Sequence, residues 1–375
     1  MKKGIGMKRA LGTLVLAGLS LGFVGCSMKS PLGPVSAVQP TIVATQVPTP
    51  APTVNIPDPA LLSSLQTALV SGGVIANSST PITPKIMASV TSLILDGTGI
   101  TSLTGLESCA AVTYLELNTN SITSVAPLAG LTHLTYLDLG FNTISDLSSL
   151  SNLVNLQTLY VYDNSLTDIS ALSNLKQLTD LDFCDNKIVS LSALSGLTQL
   201  TSLSAESNQI TDMSAVVGMT QLNALMLYNN QITVLPNLSG LTQVSYLNLA
   251  ANKITDMSGV AGMTGVQDLE IYSNQLTVIP NLSAMTSLDT LELSGNQLTD
   301  VTPLAILTHL ESLNLGANKI NDVAALVTAY NNGSFHGFNG NASDIELMIN
   351  PLTNPNVSSE IATLVSDGIR VVYNH

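Results

Sequence analysis

The sequence predicts an α/β repeat solenoid, a stack of short coils in which each turn gives one strand to a shared parallel sheet. Three observations carry this expectation. An asparagine recurs every 22 residues, at Asn120, Asn142, Asn164, Asn186, Asn208, Asn230, Asn252, Asn274, Asn296 and Asn318. The third and fifth residues before each of them are apolar, from Leu115/Leu117 to Leu313/Leu315, which is the period of a strand with one buried side. Charged residues make up only 10% of the chain, as suits coils that need an aliphatic residue every two or three positions with small polar ones between.

The full unit reads L-x-x-L-x-L-x-x-N-x-I/L-x-x-L/V/I/M-x-x-L-x-x-L. Thr98 stands for the asparagine in a first unit with Leu93/Leu95, and Asn350 closes a twelfth, with Ile345/Leu347, after a longer gap. Ala205 is the weak spot in the apolar pattern. Strands of successive coils should pair about 4.8 Å apart, so twelve coils would extend roughly 55–60 Å along the ladder. The asparagine amide can both donate and accept, so it can satisfy turn backbone while its copies stack. No coil buries its leucines alone, which makes the array cooperative. Asp212-Met213-Ser214 and Asp256-Met257-Ser258 alternate with Val234-Leu235-Pro236-Asn237 and Val278-Ile279-Pro280-Asn281, a copied two-coil unit that implies no functional demand.

The ends need lids, because an open stack exposes its leucines. Residues 56–89 read as a helical cap: Asp58-Pro59 is an N-cap with proline at the first helical position, Leu61, Leu62, Leu65 and Leu69 follow at helical spacing, and Gly72-Gly73 stops the helix. Thr83-Pro84 opens a second short helix. Residues 90–330 hold eleven repeats. Residues 331–375 hold a Gly/Asn-rich loop with Phe335, His336 and Phe338, the last repeat, a helix from about Val357 to Ser366 and a strand from Ile369 to Tyr373. That loop is expected to cover the last coils; contact with a ligand is the alternative.

Ahead of the stack, residues 1–25 read as a signal peptide, with Lys2, Lys3, Lys8 and Arg9 before the uncharged stretch Ala10–Val24. Phe23-Val24-Gly25-Cys26 resembles the bacterial lipoprotein box, though Phe23 stands where that family usually has Leu. The resemblance implies lipidation of Cys26 and export to a bacterial cell envelope. The protein would be anchored there by lipid, in the outer membrane of a two-membrane organism because Ser27 is not Asp. An ordinary secretory signal with a chance cysteine is the alternative. Residues 26–55 are Pro/Thr-rich and lack a hydrophobic period, as a disordered tether would. Cys109 and Cys184 fall in different coils, too far apart to bridge.

Over residues 56–375 the 22-residue unit and both caps resemble the bacterial internalin-like leucine-rich-repeat proteins. The resemblance implies a curved right-handed solenoid, with parallel strands on the concave face and short 3-10 turns and loops on the convex one. It also implies an adhesin or receptor role without naming a ligand.

The functional clue lies in the residues between the inward leucines, at positions −6, −4 and −2 from each asparagine, with −1 at the edge. Seven of nine tyrosines fall there, and thirteen of 25 acids, but no Lys or Arg. The candidate partner-binding residues are Tyr114, Glu116, Tyr136, Asp138, Phe141, Tyr160, Tyr162, Asp163, Asp180, Asp182, Glu206, Tyr228, Tyr246, Asp268, Glu270 and Tyr272. Strand surfaces favour tyrosine, and solvated faces carry charge. One-sided charge argues for more: Glu116 beside Asp138, and Glu270 beside Glu292, would destabilise a sheet. Asp146, Asp168, Asp212, Asp256, Asp300 and Asp322 all lie four residues after the asparagine, which suggests turn chemistry instead.

Without the N-terminal segment the chain keeps seven basic residues against 25 acidic, net −18, so nucleic acid is not an expected partner. A protein partner with a basic or aromatic-compatible surface is. No small-molecule substrate, cofactor or metal is expected. The acids could supply oxygens for Ca²⁺, but no loop motif for it is present. His133, His309, His336 and His375 fall off the candidate face, and acids beside Cys184 disfavour a thiolate. An enzyme is therefore not expected, and the reading is an adhesive or receptor-like binding module. A structural or self-associating envelope scaffold is the alternative.

Overall fold

Two aliphatics per coil on one side of a short strand leave only one way to bury them, against the strands of neighbouring coils. The computed structural model describes residues 52–336 and 343–374. Thirteen strands lie in chain order in one parallel sheet. They are β1 Ser92–Ile94, β2 Tyr114–Glu116, β3 Tyr136–Asp138, β4 Thr158–Tyr160, β5 Asp180–Asp182, β6 Ser202–Ser204, β7 Ala224–Met226, β8 Tyr246–Asn248, β9 Asp268–Glu270, β10 Thr290–Glu292, β11 Ser312–Asn314, β12 Asp344–Glu346 and β13 Arg370–Val372. The register steps by one repeat, so that Leu115 pairs with Leu137 and Leu137 with Leu159. All three are buried, as are the second aliphatics Leu117, Leu139 and Val161. Ala205 is buried too, next to Phe183 in the same column.

The turn after each strand depends on the asparagine. Asn142 Nδ2 donates to the carbonyls of Leu139 (3.0 Å), Gly140 (3.1 Å) and, one coil back, Leu117 (3.1 Å). Its Oδ1 accepts from the N–H of Ile122, also in the previous coil, at 2.9 Å. The same pattern recurs at Asn186, Asn230 and Asn318. One side chain thereby serves backbone groups of two coils that no ladder could reach. The residue just before it takes a positive φ, as in Phe141 (50°), Asp163 (51°) and Asp185 (53°).

Eight 3-10 segments occupy the outer side among the described residues. The regular aspartates make the turns that start most of them: Asp146 accepts from the Ser148 N–H and hydroxyl, both at 2.8 Å, and Asp212 does the same for Ser214. The coils with Val234 and Val278 have no 3-10 segment, and Asn237 and Asn281 accept there from Ser239 and Ser283. In the doublet, Gly259 lies so close to the preceding coil that a Cβ would collide with the Pro236 carbonyl and with Leu235 Cβ (2.8 Å).

Both caps form. In α1 (Pro59–Ser71) Asp58 Oδ1 accepts from the Ala60 and Leu61 N–H groups at 2.9 Å, and Leu61, Leu65 and Leu69 are buried. Asp58 Oδ2 accepts from the Thr101 N–H (2.8 Å), the Thr101 hydroxyl (2.7 Å) and the Ser102 N–H (2.9 Å), which pins the cap to the first coil. Thr83 caps α2 (Pro84–Met87). Gly105, at φ 111°, lies against Asn55 O and Ile56 Cγ1, where a Cβ would come within 3.0 and 2.7 Å.

The structure adds three particulars at the C-terminal end. The outer segment of the coil after Asn318 is an α-helix, α3 (Ala324–Asn331), rather than a 3-10 turn, which accounts for the longer gap to Asn350. Behind α4 (Val357–Ser366), the strand expected as part of the cap joins the sheet as its thirteenth member. Phe335 is buried, and its N–H donates to Leu310 O at 2.6 Å, so within the interrupted loop this residue belongs to the core. His336 is exposed and stacks on Tyr330, ring centroids 4.6 Å apart. Phe338, the signal-peptide reading, Cys26 and residues 26–51 of the tether lie outside the described residues. Cys109 and Cys184 are both unbridged.

Candidate functional site

Because side chains alternate along a strand, the residues flanking the buried leucines share the opposite face of the sheet. The register places Tyr114 beside Tyr136, Glu116 beside Asp138, Tyr160 beside Asp182 and Glu270 beside Glu292. The rings of Tyr114 and Tyr136 stack with centroids 4.3 Å apart, and Tyr160 meets Tyr136 edge-on at 5.7 Å. Phe141, half exposed at the edge, meets Tyr162 edge-on at 5.2 Å. The Tyr162 ring lies over Gly140, where any Cβ would collide with it. Further along, Tyr228 and Tyr272 approach to 6.2 Å.

The tyrosine hydroxyls point to carboxylates. Tyr114 donates to Glu116, Tyr160 donates to Asp180 Oδ2 (2.6 Å), and Tyr246 donates to Glu270 Oε1 (3.0 Å). Two asparagines that the sequence pattern did not single out bind carboxylates of the face, Asn118 bridging two of them and Asn248 joining one to the Tyr246 hydroxyl. Asn118 Nδ2 donates to Asp96 and Asp138, each at 3.2 Å, and Asn248 Nδ2 donates to Glu270 at 2.7 Å. An amide lying in a column of acids was the signal that could have found them.

Not every candidate is accessible. Asp138 is only 1% exposed and accepts from the Gly140 N–H, so it supports the face from beneath; Glu116, at 7%, is nearly as covered. Asp163 and Asp185 are exposed turn residues. Asp182 accepts from the Cys184 N–H at 2.9 Å, and Glu206 accepts from the Cys184 thiol at 3.5 Å. The expected absence of basic residues is corrected at one place. With β13 in the sheet, Arg370 takes the −6 position beside Asp344 and forms an ion pair with it at 3.2 Å. It lies four strands beyond β9, which leaves the acids beside the tyrosines without a basic neighbour in the rows.

Burial is the main cause of the electrostatic shifts. It raises the Asp96 carboxyl to about 6, helped by Glu116, and the Asp268 carboxyl to about 6, helped by Glu270 and Asp289. Glu292 rises to about 7, again through burial first and then Glu270 and Glu346. Asp182 and Glu206 also rise. Burial and nearby acids push the hydroxyls of Tyr136, Tyr160 and Tyr246 up, so they stay neutral donors. The Cys184 thiol is raised by burial before its acidic neighbours, Asp182 and Glu206, contribute, which corrects the cause expected from sequence and leaves a protonated, unreactive sulfur.

The sequence matches the family model described as a leucine-rich repeat region over residues 89–358, most of the chain. It is a leucine-rich-repeat protein. Among solved structures, this leucine-rich-repeat chain is similar to an internalin, InlF, from Listeria monocytogenes, at 31% identity. The match covers 76% of this chain and 96% of that one, with a TM-score of 0.52. A second internalin of the same organism, C2, is 30% identical over 59% of this chain and 94% of its own, with a TM-score of 0.54. A plant peptide hormone receptor, RGFR1, in complex with RGF2, shares the fold at 19% identity (76% of this chain, 47% of that one, TM-score 0.53). A comparison with the curated proteins finds no match. Among the described residues, no helix is long and apolar enough to cross a membrane, and no group of three or more His, Cys, Asp or Glu side chains could hold a metal ion.

Proposed function

We propose that this leucine-rich-repeat protein is a non-catalytic binding module. Its tyrosine- and acid-rich sheet face takes up a protein partner bearing basic groups, in an adhesive or receptor-like role at a bacterial cell surface. The single observation that carries this is the pairing of Glu270 with Glu292 in adjacent strands, both partly exposed, with no cation in that row. Like charges side by side cost a sheet stability. A cationic partner removes that cost on binding, and tyrosines next to the acids give it rigid, amphipathic anchors. Leucine-rich-repeat proteins commonly serve protein interaction, and the plant relative is seen in complex with RGF2.

The described body carries six basic residues against 25 acidic ones. That net charge works against nucleic acid, against anionic lipid and against close association of two copies. It therefore favours a receptor over a self-associating scaffold. Attachment through a lipidated Cys26, with residues 27–51 as spacer, completes the proposal for where the face is displayed; mass spectrometry of the mature N-terminus tests it.

The binding reading is tested by immobilising the full chain and capturing partners from bacterial and host extracts. Capture should be lost in the triple variant Tyr136→Ala, Tyr160→Ala, Tyr162→Ala. Undiminished capture by that variant overturns the assignment of the face. Light scattering of the free protein should give a monomer; stable oligomers would favour the scaffold.

A further inference from the structure

The tyrosines and acids do not fill the face evenly. In the −6 and −4 rows, two clusters share one element, a tyrosine hydroxyl donating to a carboxylate one strand further on. In the first, Tyr160 of β4 donates to Asp180 of β5, with Asp182 beside them. In the second, Tyr246 of β8 donates to Glu270 of β9, and Asp268 shares that strand. Between them, in the same two rows, β6 and β7 present Ser202, Ser204, Ala224 and Met226, which bear no charge and no ring, while Glu206 and Tyr228 lie at the turn ends of these strands. The equivalent donors lie four strands apart, a separation of about 19 Å at about 4.8 Å per strand.

We infer that the face is a two-point receptor for one extended segment of a partner chain. That segment carries two basic clusters about 19 Å apart and crosses the low saddle of β6 and β7. This rests on the binding function proposed above and specifies its partner. Charge complementarity favours such an occupant over a folded surface. Each cluster offers carboxylates with a neutral tyrosine beside them, and guanidinium groups satisfy both, through bidentate pairing and stacking on the ring. Asp268 adds an independent sign: its Oδ1 is buried and accepts no hydrogen bond, an acceptor left open in the second cluster. Three of the four saddle side chains are small, which lets a main chain pass close to the sheet beside Met226. An extended segment advances about 3.3 Å per residue, so about six residues separate the two basic clusters.

Synthetic peptides test this directly, titrated against the full chain by calorimetry at low salt, where charge pairing is least screened. Each has two Arg-Arg ends joined by one, six or twelve prolines, a spacer that advances about 3.1 Å per residue. The six-proline peptide should bind at least about tenfold more tightly than the other two or than a single Arg-Arg peptide, because the second end binds at high effective concentration. The variants Asp180→Asn/Asp182→Asn and Asp268→Asn/Glu270→Gln, which keep side-chain shape, should each reduce it to single-site affinity. Equal binding of all spacer lengths, or of the single-ended peptide, overturns the two-point receptor while leaving a basic-partner face. No binding by any arginine peptide overturns both.

Discussion

Phe183 and Ala205 occupy the same inward column in consecutive coils, both completely buried, in strands whose neighbouring pair is Leu181 with Leu203. A ring next to a methyl group stands where two leucines stand elsewhere in the stack. The smallest residue of the apolar pattern is thus set beside the largest fully buried side chain.

This pair makes a cycle that stability measurements can close. Ala205→Leu alone should destabilise by about 1–3 kcal/mol, by overpacking against Phe183. Phe183→Leu alone should cost about 1 kcal/mol or more by leaving a void. The double variant, which restores the repeat consensus, should recover most of the sum in urea unfolding. Additive losses would mean that the two side chains do not share their space.

The asparagine ladder predicts an unusually large polar effect. Asn142→Ala strips partners from the Ile122 N–H and from three carbonyls. Buried unsatisfied groups cost about 1–3 kcal/mol each, so the loss should exceed about 3 kcal/mol. Asn142→Asp keeps the shape and the acceptor but removes the donors, and should also destabilise. A change within about 0.5 kcal/mol, typical of surface substitutions, would refute the ladder's role.

Stability should depend on pH with opposite limbs. Asp96 and Asp268, raised to about 6, and Glu292, raised to about 7, keep their protons longer in the folded state than in the unfolded chain. The fold therefore binds more protons than the unfolded chain between the ordinary carboxylate range, about 4, and about 7, and stability falls as pH rises through that window. Asp58 behaves in reverse: burial opposes its charge, but hydrogen bonds from Leu61, Thr101 and Ser102 win and hold its carboxyl well below the usual range. Its contribution is full above about pH 4 and is lost as acid protonates it. The thermal midpoint should be higher at pH 5 than at pH 8, and Asp268→Asn with Glu292→Gln should narrow the difference. An equal midpoint at both pH values in the unaltered protein would contradict the burial of these acids.

Two glycines separate folding from binding. Gly140→Ala meets the Tyr162 ring first, so it should shift that ring off Phe141 and weaken partner capture with little change in melting. Gly105→Ala meets the backbone of Asn55 at a φ of 111°, which L-residues avoid, and should loosen the N-terminal cap by about 1–3 kcal/mol. Circular dichroism melts compare the two, and the reverse order of damage would overturn these placements.

What could be read from the residues alone was whatever the repeat makes local: the 22-residue step, the buried columns, the asparagine turns, the Asp58 cap and the α4 boundaries all follow from short-range patterns. A strand period fixes which side chains share a face, so the rows of tyrosine and acid were legible too. Their depth was not. Asp138 and Glu116 look equivalent to Glu270 and Glu292, which stand at the same −4 position. Yet the first two are covered by neighbouring side chains, and the other two stay partly exposed. Tertiary packing also decided that Arg370 enters the sheet, that Asn118 bridges two acids while Asn248 joins Glu270 to Tyr246, and that Phe335 joins the core. Each depends on what a neighbouring coil brings within hydrogen-bonding or van der Waals reach, and periodicity along one chain carries no record of that distance.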